Sequence, residues 1–324
     1  MMRRRSFITL LGGAAAAWPP AARAQQAAPI VAFISGRSAG DDAFYGAAFR
    51  NGLSETGTIA GQGATVEYHW LDGRYDQLPA IMADLVHRRV AVITTVVARA
   101  AHAAKAATAT IPIVFGVGED PVSTGLVASL AHPGGNATGI NFFNVEAVAK
   151  QLFLLHELVP KATRVAVLVN PANAQSTVQA ASDAARTLGL EIRALEASTS
   201  REIDATFAAL ERERVDALLI APDSFLSSRR VQFTILAAKK GIPAVGIGRD
   251  AVEIGLLMNY GTDLIDTYRQ VGIYAGRILN GARPADLPVI QSTKFELAIN
   301  LIRAKALGLT VPPSLLAIAD EVIE

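Results

Sequence analysis

"ATIPIVFGVG" (109–118) and "KKGIPAVGIG" (239–248) are the stretches whose reading decides the fold. Each places Ile-Pro ahead of a short apolar strand that closes on glycine. What precedes them is also repeated. "PIVAFIS" (29–35), "TVEYHW" (65–70) and "VAVITTVV" (90–97) lead to the first stretch. "RVAVLVNP" (164–171), "EIRALEAS" (191–198) and "VDALLIAPD" (215–223) lead to the second. In both halves the first strand and the Ile-Pro strand are separated by about 80 residues, the mark of an internal duplication.

Between the strands lie segments of helical character. The pattern predicts helices over 41–55, 78–88 and 100–107 in the first half, then over 145–158, which follows the strand "TGINFF" (138–143). The second half predicts helices over 174–188, from Thr199 onward, and over 227–240. Glu202 stands three residues after Thr199, a capping-box pairing. Strands alternating with helices build a parallel sheet covered on both faces. The expected fold is therefore α/β, two doubly wound parallel-sheet lobes joined by hinge crossovers. One lobe comprises 25–141 with about 259–287, the other 142–258 with about 288–324, each range approximate as element boundaries are. Such sheets bind ligands beyond the carboxyl ends of their strands. Two facing edges make a cleft that closes about hinges, expected near Phe142 and Phe143 and near Leu256 to Tyr260.

The N-terminus reads as an export signal. Arg3, Arg4 and Arg5 precede a short apolar run, and Ala22-Arg23-Ala24 supplies a small-x-small cleavage pattern. Arg4-Arg5-Ser6-Phe7-Ile8 is similar to the twin-arginine consensus. Cleavage after residue 24 would leave 26 basic against 29 acidic residues, a net charge of −3. This balance carries no nucleic-acid footprint. The absence of cysteine excludes both disulfides and a lipidated cysteine. The expected product is an unanchored periplasmic protein, read as a monomer, without membrane insertion.

Catalytic machinery is missing. The five histidines show no metal-ligand spacing, and the chain has no HExxH, GxSxG or Walker A pattern. The glycine cluster "HPGGNATG" (132–139) precedes a strand rather than following one, so it reads as a turn. The expectation is no enzyme, no cofactor and no metal. Polar groups do gather at strand ends. Ser35 and Arg37 follow the first strand, Gly118 and Asp120 the fourth. Asn170 and Asn173 open a helix whose amides suit a carboxylate. Asp223, Arg249 and Tyr260 close later strands.

The stretches "YDQLPAIMADLVHRRVAVI" (75–93), "LLHELVPKATRVAVLVNP" (154–171) and "AKALGLTVPPSLLAIADEVIE" (304–324) carry a resemblance that spans essentially the whole chain. The sequence resembles the substrate-binding proteins of ABC transporters, in the family that includes tryptophan- and tyrosine-binding members. That resemblance implies the type I periplasmic binding protein fold. It also implies capture of a small organic solute that is amino-acid-like, aromatic or a carboxylate, and delivery to an ABC permease with its ATPase. The matching positions are Ser35, Asp120, Asn170, Asn173, Asp223 and Tyr260. A ligand-binding sensor addressing a membrane receptor is the alternative role. One loop departs from the family: where relatives carry Gly-Gly-hydroxyl-Pro, this chain reads Val96-Val97-Ala98-Arg99. Either Arg99 supplies a charge-assisted contact, or Val97 and Ala98 make an apolar wall.

Overall fold

β1 (Ile30–Ser35) is buried at every residue after Ile30. Val31 and Phe33 pack on one face of its sheet, Ala32 and Ile34 on the other. A strand that is apolar on both faces needs helices on both sides, which is what the alternating pattern supplies. The structure is a computed structural model that describes residues 28–324 apart from 59, 60, 62, 143, 172, 173 and 247. The expected export signal, Phe143 and Asn173 lie outside the described residues.

After β1 come α1 (Ala39–Glu55), β2 (Thr65–Trp70), α2 (Leu78–His87), β3 (Val92–Thr95), α3 (Ala98–Ala107), β4 (Ile113–Val117) and β5 (Ala137–Phe142). Ser38 caps α1 by accepting from the Asp41 N–H, and Asp41 and Asp42 suit the positive end of that helix. The second half brings α4 (Asn144–Leu158), β6 (Arg164–Val169), α5 (Ala174–Leu188), β7 (Glu191–Glu196), α6 (Ser200–Glu213) and β8 (Ala217–Ile220). It continues through α7 (Ser224–Ser228), α8 (Arg230–Lys240), β9 (Ala244–Gly246), α9 (Arg249–Glu253) and β10 (Met258–Thr262). α10 (Leu264–Leu279) and β11 (Ile290–Ser292) return to the first lobe. β12 (Phe295–Asn300), α11 (Leu301–Ala306), α12 (Pro313–Ile318) and β13 (Glu321–Ile323) complete the second.

The strands form two sheets, ordered β11-β5-β4-β3-β1-β2 and β13-β12-β10-β9-β8-β6-β7. All pairings are parallel except β10 with β12. α10 lies across the first sheet and against α1, so closely that a Cβ at Gly52 would overlap the Arg269 carbonyl and one at Gly272 the Phe49 carbonyl. These glycines set the distance between the two helices.

Several details differ from the sequence expectation. β3 stops at Thr95, because the Thr95 hydroxyl accepts the Val97 N–H and turns the chain out of the sheet. The helix expected over 227–240 is two helices. Asp223 caps a short α7, and Arg229 ends it before α8 begins. Two of the lobe crossings fall later than the expected boundaries. β10 belongs to the second sheet and β11 to the first, so Leu256–Tyr260 is not a crossing.

The chain crosses between lobes after β5, between β10 and α10, and between β11 and β12. The last two crossings are laced together. The Asp263 N–H donates to the Lys294 carbonyl, and Lys294 Nζ lies 2.6 Å from Asp263 Oδ2. Beside them, burial and the neighbouring Asp263 push the Glu296 carboxyl up to about 7. The folded protein thus holds this proton more tightly than an unfolded chain with the ordinary value of 4.5. Stability from this group is full below 4.5 and falls as pH rises toward 7, because the unfolded state releases its proton first. Glu296→Gln, neutral throughout, removes that slope. Urea denaturation should find the variant equal to wild type near pH 4.5 and more stable at about pH 7.5; no gain at the higher pH refutes the assignment.

Candidate functional site

The carboxyl ends of both parallel sheets face one cavity of about 380 Å³. β1 delivers Gly36 and Arg37 to it. The loop after β3 delivers Val96 and Val97, the first turn of α3 delivers Ala98 and Arg99, and the loop after β4 delivers Gly118 and Glu119. From the second lobe come Gln151 of α4, Ser176 and Thr177 of α5, Asp223 and Phe225 after β8, and Asn259, Gly261 and Thr262 of β10. Parallel strands start at one end and finish at the other, so one edge of each sheet collects all the loops that follow strands.

Charged side chains bind the lobes to each other across the cavity rim. Arg37, whose side chain is 8% exposed, donates from Nη1 to Asp250 Oδ2 at 2.6 Å. Its guanidinium also lies 4.4 Å from the Tyr45 ring centroid. Arg230 of α8 places Nε 2.9 Å from the same Asp250 oxygen and Nη2 2.7 Å from Asp41 Oδ1. The row Asp41, Arg230, Asp250, Arg37 alternates in sign and alternates between lobes at both its ends. Asp41 and Arg37 find these partners only across the junction, while Arg230 and Asp250 also face each other within the second lobe.

Tyr75 also spans the junction, packing against the cores of both lobes. A Cβ at Gly36 would come within 2.9 Å of its hydroxyl, so glycine there leaves room for the ring. Burial, reinforced by the Asp223 charge, pushes the Tyr75 hydroxyl up to about 12 and keeps it neutral. Arg99 lies over the outer face of this ring, 5.2 Å from its centroid. That cation–π contact is the interaction the structure gives Arg99 among the described residues. α3 begins just there, and its N-cap Val97 makes no side-chain cap. The first turn of α3 therefore presents uncapped backbone N–H groups beside a cation.

Of the residues expected at the site, Arg37, Val97, Ala98, Arg99, Gly118 and Asp223 line the cavity. Others do not. Ser35 is buried beneath it and accepts the Arg37 backbone N–H. Asp120 is exposed and caps its own turn, accepting from the Val122 N–H at 2.9 Å. Asn170 is buried and donates to Asp223 Oδ1 at 3.2 Å, holding the carboxylate that also accepts from the Leu226 N–H. Arg249 opens α9 and turns to Glu253 and Glu321. Tyr260 stacks on Phe295, with ring centroids 5.6 Å apart. Asn173 lies outside the described residues.

Sequence reasoning missed Tyr75, Gln151, Thr262 and the His102–Glu119 pair. His102 Nε2 lies 2.7 Å from Glu119 Oε1 on the cavity wall. Gln151 is a polar residue on the buried side of an amphipathic helix, a signal that could have marked it. Tyr75 and His102 carry no comparable local sign.

Three comparisons bear on this arrangement. A family model described as ABC transporter substrate binding protein matches residues 29–323. A tyrosine-binding protein of Clostridioides difficile (strain R20291) is 28% identical over 267 residues, covering 81% of this chain and 75% of that relative. Among solved structures, one from Streptococcus pneumoniae, in complex with L-Trp, is 24% identical with a TM-score of 0.83, covering 91% of this chain and all of that one. A ligand-free, open substrate binding protein with adhesive properties from Clostridium difficile is 25% identical with a TM-score of 0.67, covering 91% of this chain and 99% of that one.

Asp250 holds two arginines at once, so its removal should loosen the junction. Asp250→Asn should weaken ligand binding by a factor of about ten or more, the scale of a lost hydrogen bond between charged groups. Small-angle scattering should find the variant's radius of gyration enlarged in the absence of ligand. Unchanged scattering and affinity would show that the pair does not hold the lobes.

Proposed function

This chain belongs to the ABC transporter substrate binding protein family, and we propose that it captures a small organic acid or amino acid between its lobes for import. The observation that carries the reading is the cavity between the two sheet edges, held by the Arg37–Asp250 pair. Its size falls in the range of small-molecule sites, about 300–1,000 Å³. Val96, Val97, Phe142 and Leu264 give it apolar wall, suited to an aliphatic or aromatic body. The uncapped start of α3 and the Arg99 guanidinium favour an anionic group on the ligand. Arg99 and the apolar wall of Val97 and Ala98 are thus two parts of one surface, one for each end of the solute.

Binding then favours the closed form, in which the alternating charges at the rim are paired. The crossings at Asp263 and Lys294, with the one after β5, serve as the hinge. The closed form presents both lobes to an ABC permease, whose ATPase powers transport. The tyrosine-binding relative and the L-Trp complex support an amino-acid-like or aromatic ligand.

A thermal-shift screen of amino acids, aromatic acids and other small carboxylates tests the ligand class. A true ligand at 100 times its dissociation constant should stabilise the protein by about 2.7 kcal/mol. A screen in which sugars or cations shift the protein and no carboxylate does would refute the reading.

The same reading places the mature protein in the periplasm after removal of residues 1–24. Intact mass of the protein recovered from a periplasmic fraction should correspond to a chain starting near Gln25. Recovery of the uncleaved chain from the cytoplasm alone would refute export.

A further inference from the structure

Where the first sheet meets the cavity, its strand ends alternate between glycine and valine. Thr95, the last residue of β3, pairs with Phe115 of β4 on one side and Ile34 of β1 on the other. One step further along, Val96 comes beside Gly116, and one more step brings Val97 beside Gly36. A Cβ at Gly116 would lie 3.1 and 3.2 Å from the two methyls of Val96, and one at Gly36 would lie 3.4 Å from a methyl of Val97. Each valine thus fills the space that a side chain on the neighbouring strand would need. All four residues line the cavity, where Val96 is half-buried and Val97 is 3% exposed.

The resulting ledge is stiff and apolar. A valine has a single side-chain torsion and is restricted about it. The Val97 N–H donates to Thr95 Oγ1 at 3.1 Å, and the Val97 carbonyl accepts the Ala101 N–H at 3.0 Å, which pins the turn from β3 into α3. The notch at Gly116 is closed from the α10 side as well, since a Cβ there would lie 3.3 Å from Thr267 Cγ2. A stop packed as closely as this yields little to a body that is too large.

Val96 is the member of the ledge with surface left for a solute to meet. A charged or polar group laid on its methyls would shed water without gaining a partner, an unfavourable exchange. The features that favour an anion, Arg99 and the first turn of α3, lie beyond Val97 along the chain. The apolar body of the solute therefore takes the Val96 side, where Phe142 and Leu264 continue the wall.

We propose that Val96, seated against Gly116, is the stop that limits the width of the solute's apolar body. The proposal rests on the cleft being the ligand site. It makes a single ring or a branched aliphatic chain the preferred body and a fused bicyclic ring a poor one. Space that is missing can discriminate in this way, since one methylene more or less in an apolar pocket changes binding by about tenfold or more.

The test is calorimetric titration of the full-length mature protein with pairs that share a charged end and differ in width: L-phenylalanine against L-tryptophan, benzoate against 2-naphthoate, and phenylacetate against 1-naphthylacetate. Wild-type protein should bind the single-ring member of at least one pair about tenfold or more tighter. Val96→Ala should cut that ratio at least threefold by admitting the wider member. Gly116→Ala should weaken the single-ring member at least threefold, because the new methyl displaces Val96. Combining Val96→Ala with Gly116→Ala removes that clash and should recover the lost affinity, with melting temperatures followed to show that every variant is folded. Equal or tighter binding of the wider members by wild type overturns the stop and leaves the cleft reading intact. A Val96→Ala variant with an unchanged ratio, or a double variant no better than Gly116→Ala, does the same. Failure of every member of every pair to bind overturns the stop and the ligand class together.

Discussion

A parallel strand cannot be joined to its neighbour by a tight turn, because the chain must travel back along the sheet before the next strand begins. The rest of this molecule depends on that constraint. It puts a helix between successive strands and gives both sheet faces a cover. It also sends every loop that follows a strand to the same edge. Two such sheets, facing each other at those edges, produce a cavity whose walls are strand ends and helix starts. Arg37, Val97, Gly118 and Asp223 all reach the cavity by this route, although they are far apart in sequence.

The cavity is bounded by charges that belong to different lobes. Asp41 and Arg37 come from one side, Arg230 and Asp250 from the other. Apolar packing alone would leave the lobes free to slide. The Arg37 hydrogen bond to Asp250 and the Arg230 ion pair with Asp41 fix one register, and a buried arginine without its carboxylate is costly. The crossings between lobes are treated in the same way, with Lys294 and Asp263 tying two of them together. Fold, junction and crossings are thus three levels of one design. The sheets place the loops, the loops place the charges, and the charges hold the two lobes together beside the cavity.

The fold was legible because its signals are local and repeated. Apolar runs such as Ile30–Ser35 and Arg164–Val169 declare buried strands, and Thr199 with Glu202 declares a helix start. The site was legible only in part. Strand ends pointed to Arg37, Gly118 and Asp223 because topology sends every strand end to the same edge. They also pointed to Asp120, Arg249 and Tyr260, which sit on turns or outward faces there. A loop of a few residues can aim a side chain either way, and nothing in the residue type says which. Asp120 spends its carboxylate on its own turn, while Arg249 finds Glu321 from the far end of the chain.

By itself the sequence determined the two-lobed parallel-sheet fold, the edge of each sheet where the loops that follow its strands gather, and membership of the substrate-binding family. Periodicity, caps and the repeated Ile-Pro strand act over short stretches, so they survive in the linear text. Tertiary structure alone decided that Arg37 clasps Asp250, and that Tyr75 and Arg99 share a wall. It alone left Gln151 Oε1 and Thr262 Oγ1 unpaired among the described residues. Those outcomes depend on distances between residues remote in the chain and on which polar atoms find partners after packing. Neither quantity has a local signature.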